Sequence, residues 1–219
     1  MGIIKTSFYK NPHIGLFIRA NDKIALVPKN IHEKLIPQVR DALQTEIVPI
    51  FLCQSPVLGI FSALNSNGCV VSALTEKHEI KPLKELGLNV YFLNEQFAPG
   101  NNILANDKAA LLNHNIPRVE HKKIGDCLGV EVFSQPVANL NTVGSCNTVT
   151  NKGLLAFHEL TDVELKMFEK IFGVRGTRGT VNLGSQANSY GVVANSKGAL
   201  VGDSTSGAEM QNVYEGLFG

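Results

Sequence analysis

The chain has no tryptophan, only three methionines and few aromatic residues (7%). Charge of either sign is not in excess: 20 Lys plus Arg against 19 Asp plus Glu leave a formal net charge of +1. Proteins held mainly by phosphates gather many basic residues on one surface. The balance therefore excludes a chiefly electrostatic nucleic-acid binder, and no DNA partner is expected. No apolar run approaches the roughly 20 residues a membrane span needs, so no membrane partner is expected either. Met1-Gly2-Ile3-Ile4-Lys5-Thr6-Ser7-Phe8 lacks the apolar core of a signal peptide. Cys53, Cys69, Cys127 and Cys146 show no metal-ligand spacing and are too sparse for a disulfide scaffold. Free thiols, a cytoplasmic setting and no metal or cofactor are the resulting expectations.

What the sequence does have is a repeat. Ala20-Asn21-Asp22-Lys23 and Ala105-Asn106-Asp107-Lys108 are its clearest copies. Leu64-Asn65-Ser66-Asn67-Gly68, Val149-Thr150-Asn151-Lys152-Gly153 and Ala194-Asn195-Ser196-Lys197-Gly198 are three more. Aligned on Asn21, Asn65, Asn106, Thr150 and Asn195, the steps are 44, 41, 44 and 45 residues. A fixed period of that size means stacked or ringed copies of one supersecondary unit.

In the first copy, Ile14-Gly15-Leu16-Phe17-Ile18 and Ala25-Leu26-Val27 flank the Asn-Asp turn and predict a β-hairpin. A helix follows. Thr161 and Glu164 have capping-box spacing, and Val163, Leu165, Met167, Phe168, Ile171 and Phe172 give a broad apolar face. In the third copy Asn115 is a candidate cap, with Pro117 in the first turn and Val119, Ile124, Cys127 and Leu128 beyond. In the first, Leu35, Val39 and Leu43 keep the period, while Pro37 is expected to delay or kink the helix. Ile47–Phe51, Val90–Phe92 and Val130–Phe133 predict a third strand.

The unit is strand, strand, helix, strand. The helix excludes WD-type propellers, and the Asn-rich hairpin excludes helical solenoids. The fifth helix, around Ala208 to Leu217, has no strand after it, whereas Ile3–Phe8 is a strand with no repeat of its own. Placing it in the fifth unit closes a ring and removes two sheet edges. The expected fold class is α/β: a pseudo-five-fold-symmetric, five-bladed α/β propeller closed by the N-terminal strand. It is a single domain over residues 1–219, with repeats at roughly 9–52, 53–93, 94–137, 138–183 and 184–219 plus 2–8.

Such a ring resembles the pentein fold. Gly179-Thr180-Val181-Asn182 with Gly184-Ser185 resembles a segment of the translation initiation factor 6 family. So do Val130-Glu131-Val132-Phe133 with Gln135, Val137-Ala138, Val143-Gly144-Ser145 and Gly202-Asp203-Ser204-Thr205-Ser206. Ala98-Pro99-Gly100-Asn101 is similar to the family's Ala-Leu-Gly-Asn stretch. The resemblance runs over essentially the whole chain, in register with all five repeats. The chain stops after its fifth helix, without the tail of eukaryotic members, which gives it an archaeal-type look.

The resemblance implies a binding protein and not an enzyme. Family members bind the large ribosomal subunit on its intersubunit face and sterically prevent joining of the small subunit. The implied partners are a uL14-type ribosomal protein, an L24e-type protein and the sarcin–ricin loop of the large-subunit rRNA, engaged by a monomer.

Six residues before each turn marker stand Gly15, Gly59, Gly100, Gly144 and Ser189. Small residues there let five blades converge near the axis. The family's exposed loops at this end contribute to the ribosome-facing surface. Carried across, the resemblance selects His13, Ile14, Gly15, Ser55, Pro56, Gly59, Pro99, Gly100, Asn101, Asn141, Thr142, Gly144, Ser145 and Asn188. Asn101 stands first among them, because Gly100-Asn101 matches the family's Gly-Asn. Two places depart from the pattern: Ile60, where some members carry Arg, and Gln186–Tyr190, where small apolar residues are common. The pentein fold also hosts guanidino-modifying enzymes with a Cys nucleophile and a His base, for which Cys146 and His158 are the candidates here. A general protein-binding ring scaffold is the third reading.

Overall fold

A computed structural model of the chain describes residues 2–94, 96–138 and 141–219. Five three-stranded sheets surround one axis among these residues. Blade 1 comprises Arg19–Ala20, Ile24–Pro28 and Glu46–Ile50, and blade 2 comprises Ser62–Leu64, Gly68–Ser72 and Asn89–Leu93. Blade 3 comprises Ile103–Ala105, Ala109–Leu112 and Glu131–Ser134, and blade 4 comprises Thr148–Val149, Gly153–Phe157 and Arg175–Gly179. Blade 5 joins Val192–Ala194 and Gly198–Gly202 to the N-terminal strand Gly2–Thr6. In every blade the middle strand pairs antiparallel with the first and parallel with the third. The N-terminal strand pairs from Gly2 opposite Gly198 to Thr6 opposite Gly202, so it closes the ring as expected.

The expected first strand of each unit is only partly a strand. Ile14–Leu16 forms a 3-10 turn and only Arg19–Ala20 joins the sheet. Leu58–Phe61, Pro99–Asn102, Val143–Cys146 and Asn188–Gly191 are the equivalent short helical turns. Alternation of apolar residues does not separate a strand from one helical turn over so few residues.

The helices between second and third strands are Leu35–Leu43, Lys81–Glu85, Arg118–Leu128, Asp162–Phe172 and Gly207–Phe218. Pro37 neither delays nor kinks the first. It is the third helical residue, where the backbone N–H has no intrahelical partner to lose. Thr161 and Glu164 form the expected reciprocal capping box, and Ser206 with Glu209 forms another. Asn115 is not a cap: the helix starts after Pro117, and the Asn115 amide turns to Asn141 (3.4 Å). Val163 and Val119 also leave the expected apolar faces, at 78% and 66% exposure.

Each helix fills the wedge between its own blade and the preceding one, which divides the interior into five apolar cores. Val39 and Leu43 pack with Val193 and Leu200 between blades 1 and 5. Ile124 and Leu128 pack with Val70 and Leu93 between blades 3 and 2. Phe168 and Phe172 pack with Leu104 and Leu111 between blades 4 and 3.

The turn asparagines are structural. Asn21 Oδ1 accepts the backbone N–H groups of Lys23 and Ile24, both at 2.8 Å. Its Nδ2 donates to the next blade, at Asn65 O (2.7 Å). Asn65 repeats this to Asn106 O, Asn106 to Thr150 O and Asn195 to Asn21 O, all at 3.1 Å. Thr150 breaks the circuit: its Oγ1 accepts the local N–H groups but it has no amide to send onward. Thr150→Asn is expected to complete the circuit and raise stability by about 1 kcal/mol, read as a rise of about 2–4 °C in the unfolding midpoint. An unchanged or lower midpoint would show that the fifth link adds nothing.

The turn lysines also reach across blades. Lys108 Nζ donates to Gly173 O and Lys197 Nζ to Gln44 O, both at 2.8 Å, where helices end with uncompensated carbonyls.

Candidate functional site

The end of the ring opposite the Asn turns carries every residue singled out by resemblance. Its centre is the small-residue circle. An added Cβ on Gly15 would overlap the Ser189 carbonyl oxygen; on Gly59, that of Gly15; on Gly100, that of Gly59. On Gly144 it would stand 2.5 Å from Gly100 O. The short helical turns thus meet backbone to backbone around the axis, and glycine is required for packing.

Around that circle the candidate side chains divide. Ile14 and Asn188 are fully buried. Ile14 packs in the wedge between blades 5 and 1, and Asn188 Nδ2 donates to Ala156 O (3.2 Å) and Gly179 O (3.0 Å). Pro99 and Ser145 are buried as well. These four serve the interior: Ile14, Pro99 and Asn188 each stand seven residues before the turn marker, where the chain turns into the blade, and Ser145 Oγ donates to Thr142 O (3.1 Å). His13, Ser55, Pro56, Asn101 and Thr142 are half-buried, and Asn141 is exposed. Ser55 Oγ accepts the Val57 N–H (3.1 Å), and Asn11 Oδ1 accepts the His13 N–H (2.9 Å) in the same place of blade 1. Such side-chain turns set the chain's entry into the helical turn.

Asn101 is not free of partners. The Tyr190 hydroxyl donates to Asn101 Oδ1, crossing from blade 5 to blade 3 over the axis. Burial raises the Tyr190 pKa against the opposing pull of nearby Arg19, so the phenol stays a donor. The departure at Gln186–Tyr190 therefore puts an aromatic cover over the glycine circle where small residues would leave it open.

One part of this end escaped the sequence reading. Tyr9 and Lys10, Cys53 and Gln54, and Asn182 and Leu183 all have positive φ, between 49° and 66°. The flanking residues form isolated bridges: Phe8 with Asn11, Leu52 with Ser55 and Val181 with Ser185. These are tight tips at equivalent places in blades 1, 2 and 5, built without the Asn-Gly pair that announces such turns. A non-glycine residue in this region carries strain and persists only where its surroundings enforce it. The only written signal was the apolar residue followed three or four positions later by Asn11, Ser55 or Ser185.

Three glutamates do the enforcing, Glu79 and Glu209 buried and Glu164 half-buried. Glu79 accepts the N–H groups of Cys53 (3.0 Å) and Gln54 (2.7 Å). Glu164 accepts that of Ala138 (2.6 Å), another positive-φ residue. Glu209 accepts those of Leu183 (3.2 Å) and Gly184 (2.8 Å) and the Thr180 hydroxyl (2.9 Å). Glu164 and Glu209 are the same residues that close the capping boxes. One carboxylate thus fixes a helix start and a tip. Tyr9 and Leu183 stand out from these tips at 62% and 77% exposure.

Burial pushes the Glu209 carboxyl up, but the hydrogen bonds from Ser206, Gly184 and Thr180 together bring it down to about 2. A depressed carboxyl stabilises the fold above the ordinary carboxylate range and loses that effect as pH falls toward 2. Glu209→Gln is expected to cost about 1–3 kcal/mol at pH 7. Chemical denaturation at descending pH should show the gap from the parent narrowing below pH 4.5. A pH-independent gap would mean the charge contributes nothing.

The candidate pair Cys146 and His158 is not brought together. Burial raises Cys69, and it raises Cys127 to about 11. Cys146 is 9% exposed and meets only Thr142 and Ser145 hydroxyls among the described residues, with no histidine in hydrogen-bond reach. His158 instead faces Glu159 and the edge of Phe157.

A model of the eIF-6 family matches residues 3–216, and so spans all five blades. The chain belongs to the eIF-6 family. Among its relatives, translation initiation factor 6 of Pyrobaculum aerophilum is 38% identical over 205 residues, 93% of each chain. Translation initiation factor 6 of Saccharolobus islandicus is 38% identical over 221 residues, 99% of each chain. That of Pyrococcus abyssi is 36% identical over 224 residues, again 99% of each. The eIF-6 likeness thus takes in the closing strand, the tips and the glycine circle together. No helix among the described residues is long and apolar enough to cross a membrane.

Proposed function

We propose that this eIF-6 family member binds the large ribosomal subunit on its intersubunit face and sterically prevents association with the small subunit. The observation that carries this reading is the full-length match, through every blade, to translation initiation factors 6. The protein acts as a binding factor in the cytoplasm, as a monomer, and without catalysis. The separation of Cys146 from His158 supports that, since a cysteine nucleophile needs a base beside it.

The contact surface is the glycine-circle end. Blocking a joining surface requires a broad, rigid obstacle, and this end is fixed by backbone packing, Tyr190 and the glutamate-held tips. His13, Ser55, Pro56, Asn101, Asn141 and Thr142 supply polar contacts, with Tyr9 and Leu183 as protruding anchors. The family resemblance implies a uL14-type protein as the main partner, with an L24e-type protein and the sarcin–ricin loop as neighbours, and a near-neutral charge fits docking led by protein contacts. Phosphate-led docking would need a basic face.

Asn101→Arg is expected to weaken large-subunit binding by about tenfold or more, the scale of a hot-spot residue. The readout is co-migration with free large subunits on sucrose gradients, with circular dichroism as the check on folding. Undiminished co-migration of a folded Asn101→Arg chain would remove this end from the contact. Failure of the parent chain itself to bind large subunits would reject the function.

A further inference from the structure

One of the five wedges is filled only in part. Four of the blade helices run 9 to 12 residues, but Lys81–Glu85, between blades 1 and 2, has five. Elsewhere the helix reaches the Asn-turn end, and its last carbonyls accept from the turn. Asn65 Nδ2 donates to Leu128 O (2.8 Å), Asn106 Nδ2 to Phe172 O (3.0 Å) and Asn195 Nδ2 to Leu43 O (2.8 Å), each besides its bond to the next turn. Thr150 has no amide to give, yet a helix still arrives beside it: a Cβ on Gly153 would stand 2.2 Å from Gly216 O. Asn21 differs. Its Nδ2 donates to Asn65 O and to no helix carbonyl among the described residues. Lys23 is exposed, and its Nζ meets only Ser66 O there, at 3.4 Å. The helix caps show the same gap. An added Cβ on Gly129 would stand 3.1 Å from Asn67 Nδ2, and on Gly173 3.0 Å from Lys108 Nζ, but on Gly87 it meets nothing within 4 Å.

Where the missing helical turn would lie there is a cleft of about 470 Å³, with Asn21, Lys23, Ile24, Glu46, Leu86 and Leu88 in its wall. Asn21 is only 8% exposed, and one hydrogen of its amide is left over. A mostly buried donor without an acceptor is costly. We propose that this cleft receives the C-terminal turn of a helix from a partner protein. The chain's own helix ends are the template. Their last helical residues, Leu43, Leu128 and Phe172, are fully buried, and Arg40 and Lys170 stand in the last turn of two of them. The occupant accordingly ends in a leucine or phenylalanine that packs on Ile24, Leu86 and Leu88. Its last carbonyls accept from Asn21 Nδ2 and Lys23 Nζ, and Lys23 complements the negative end of the helix dipole. A basic residue in its last turn meets Glu46, which is exposed and has no ion-pair partner among the described residues. The cleft lies at the turn end, away from the proposed ribosome contact, so neither reading depends on the other.

The test is a titration of the full, isotopically labelled chain with a capped peptide of residues 161–173, followed by heteronuclear NMR. That peptide carries its own capping box, Lys170 in the last turn, Phe172 and the Gly173 cap. It is titrated into the millimolar range, because so short a helix is marginal alone. Saturable shifts of the Asn21 side-chain amide and of the backbone amides of Lys23, Ile24 and residues 86–89 are the expected result. Lys23→Glu should weaken binding by about tenfold, the loss of reversing a contact charge. Phe172→Ser in the peptide should abolish binding to the unaltered chain, and this control decides alone should Lys23→Glu misfold. Absence of shifts, shifts centred on another wedge, equal binding of the Phe172→Ser peptide or undiminished binding to folded Lys23→Glu would overturn the proposal. So would sodium N-acetyl-leucinate producing the cleft shifts where the peptide produces none, which would make the cleft a site for small acids.

Discussion

Gly100→Ala is expected to leave little folded protein at 37 °C. The added methyl would run into the Gly59 carbonyl oxygen and come within 2.9 Å of Ser62 O. Both obstacles are backbone, held by the preceding blade's helical turn and strand, so no side chain can swing away. Relief requires blade 2 to move off the axis, which would open the wedge holding Leu58, Cys69 and Ile80. Overpacking in a core costs about 1–3 kcal/mol when side chains can adjust, and more is expected where they cannot. Total stabilities are only about 5–15 kcal/mol. Gly207→Ala is the matched control: its added methyl meets nothing within 4 Å, and its midpoint should hold or rise. Urea unfolding of the two variants against the parent measures the contrast. Equal stability of Gly100→Ala and the parent would mean the turns do not meet as described. The fifth position already bears a side chain, Ser189, whose Oγ lies toward Arg19.

Much of this was legible in the residues because the fold repeats. Four Asn-centred turns and a fifth on Thr150 fixed the period, and the period located the small-residue circle that packing requires. The lone strand at residues 3–8 and the strandless fifth helix predicted the closure. What was not legible depended on neighbours in space. Ile14 and Asn188 look like loop residues, yet the helical turn they begin points them into the blade interior. Val163 and Val119 fit an apolar period but stand on the solvent side of their helices. The tips at Tyr9-Lys10 and Cys53-Gln54 contain no residue that favours positive φ. Their geometry is imposed from outside, for blade 2 by Glu79, 25 residues beyond Gln54 in sequence. Nothing in the sequence marks Arg19, and only the ring brings its guanidinium to Gly59, Gly100 and Ser189 of three other blades.

Removing residues 1–7 is expected to lower the unfolding midpoint by about 10 °C or more, several kcal/mol at 2–4 °C per kcal/mol. The closing strand touches two cores at once: Ile3 packs in the wedge between blades 4 and 5, and Ile4 in that between blades 5 and 1. Its loss would wet both. Lys5 Nζ also donates to Thr205 O (2.6 Å), and the Asp203 N–H to Thr6 O (2.9 Å), so the start of the fifth helix loses its anchor. Gly198–Gly202 would then become an open sheet edge, which pairs readily with a second chain. The truncated protein should therefore associate with rising concentration on size-exclusion chromatography more than the full chain does under the same conditions. A peptide of residues 1–8 added in excess should restore part of the midpoint and suppress association, because a strand bound only to the folded ring stabilises it by mass action. A truncated chain that stays monomeric at the parent's midpoint would show that four blades and a two-stranded fifth already hold the ring, with the N-terminal strand only resting against it.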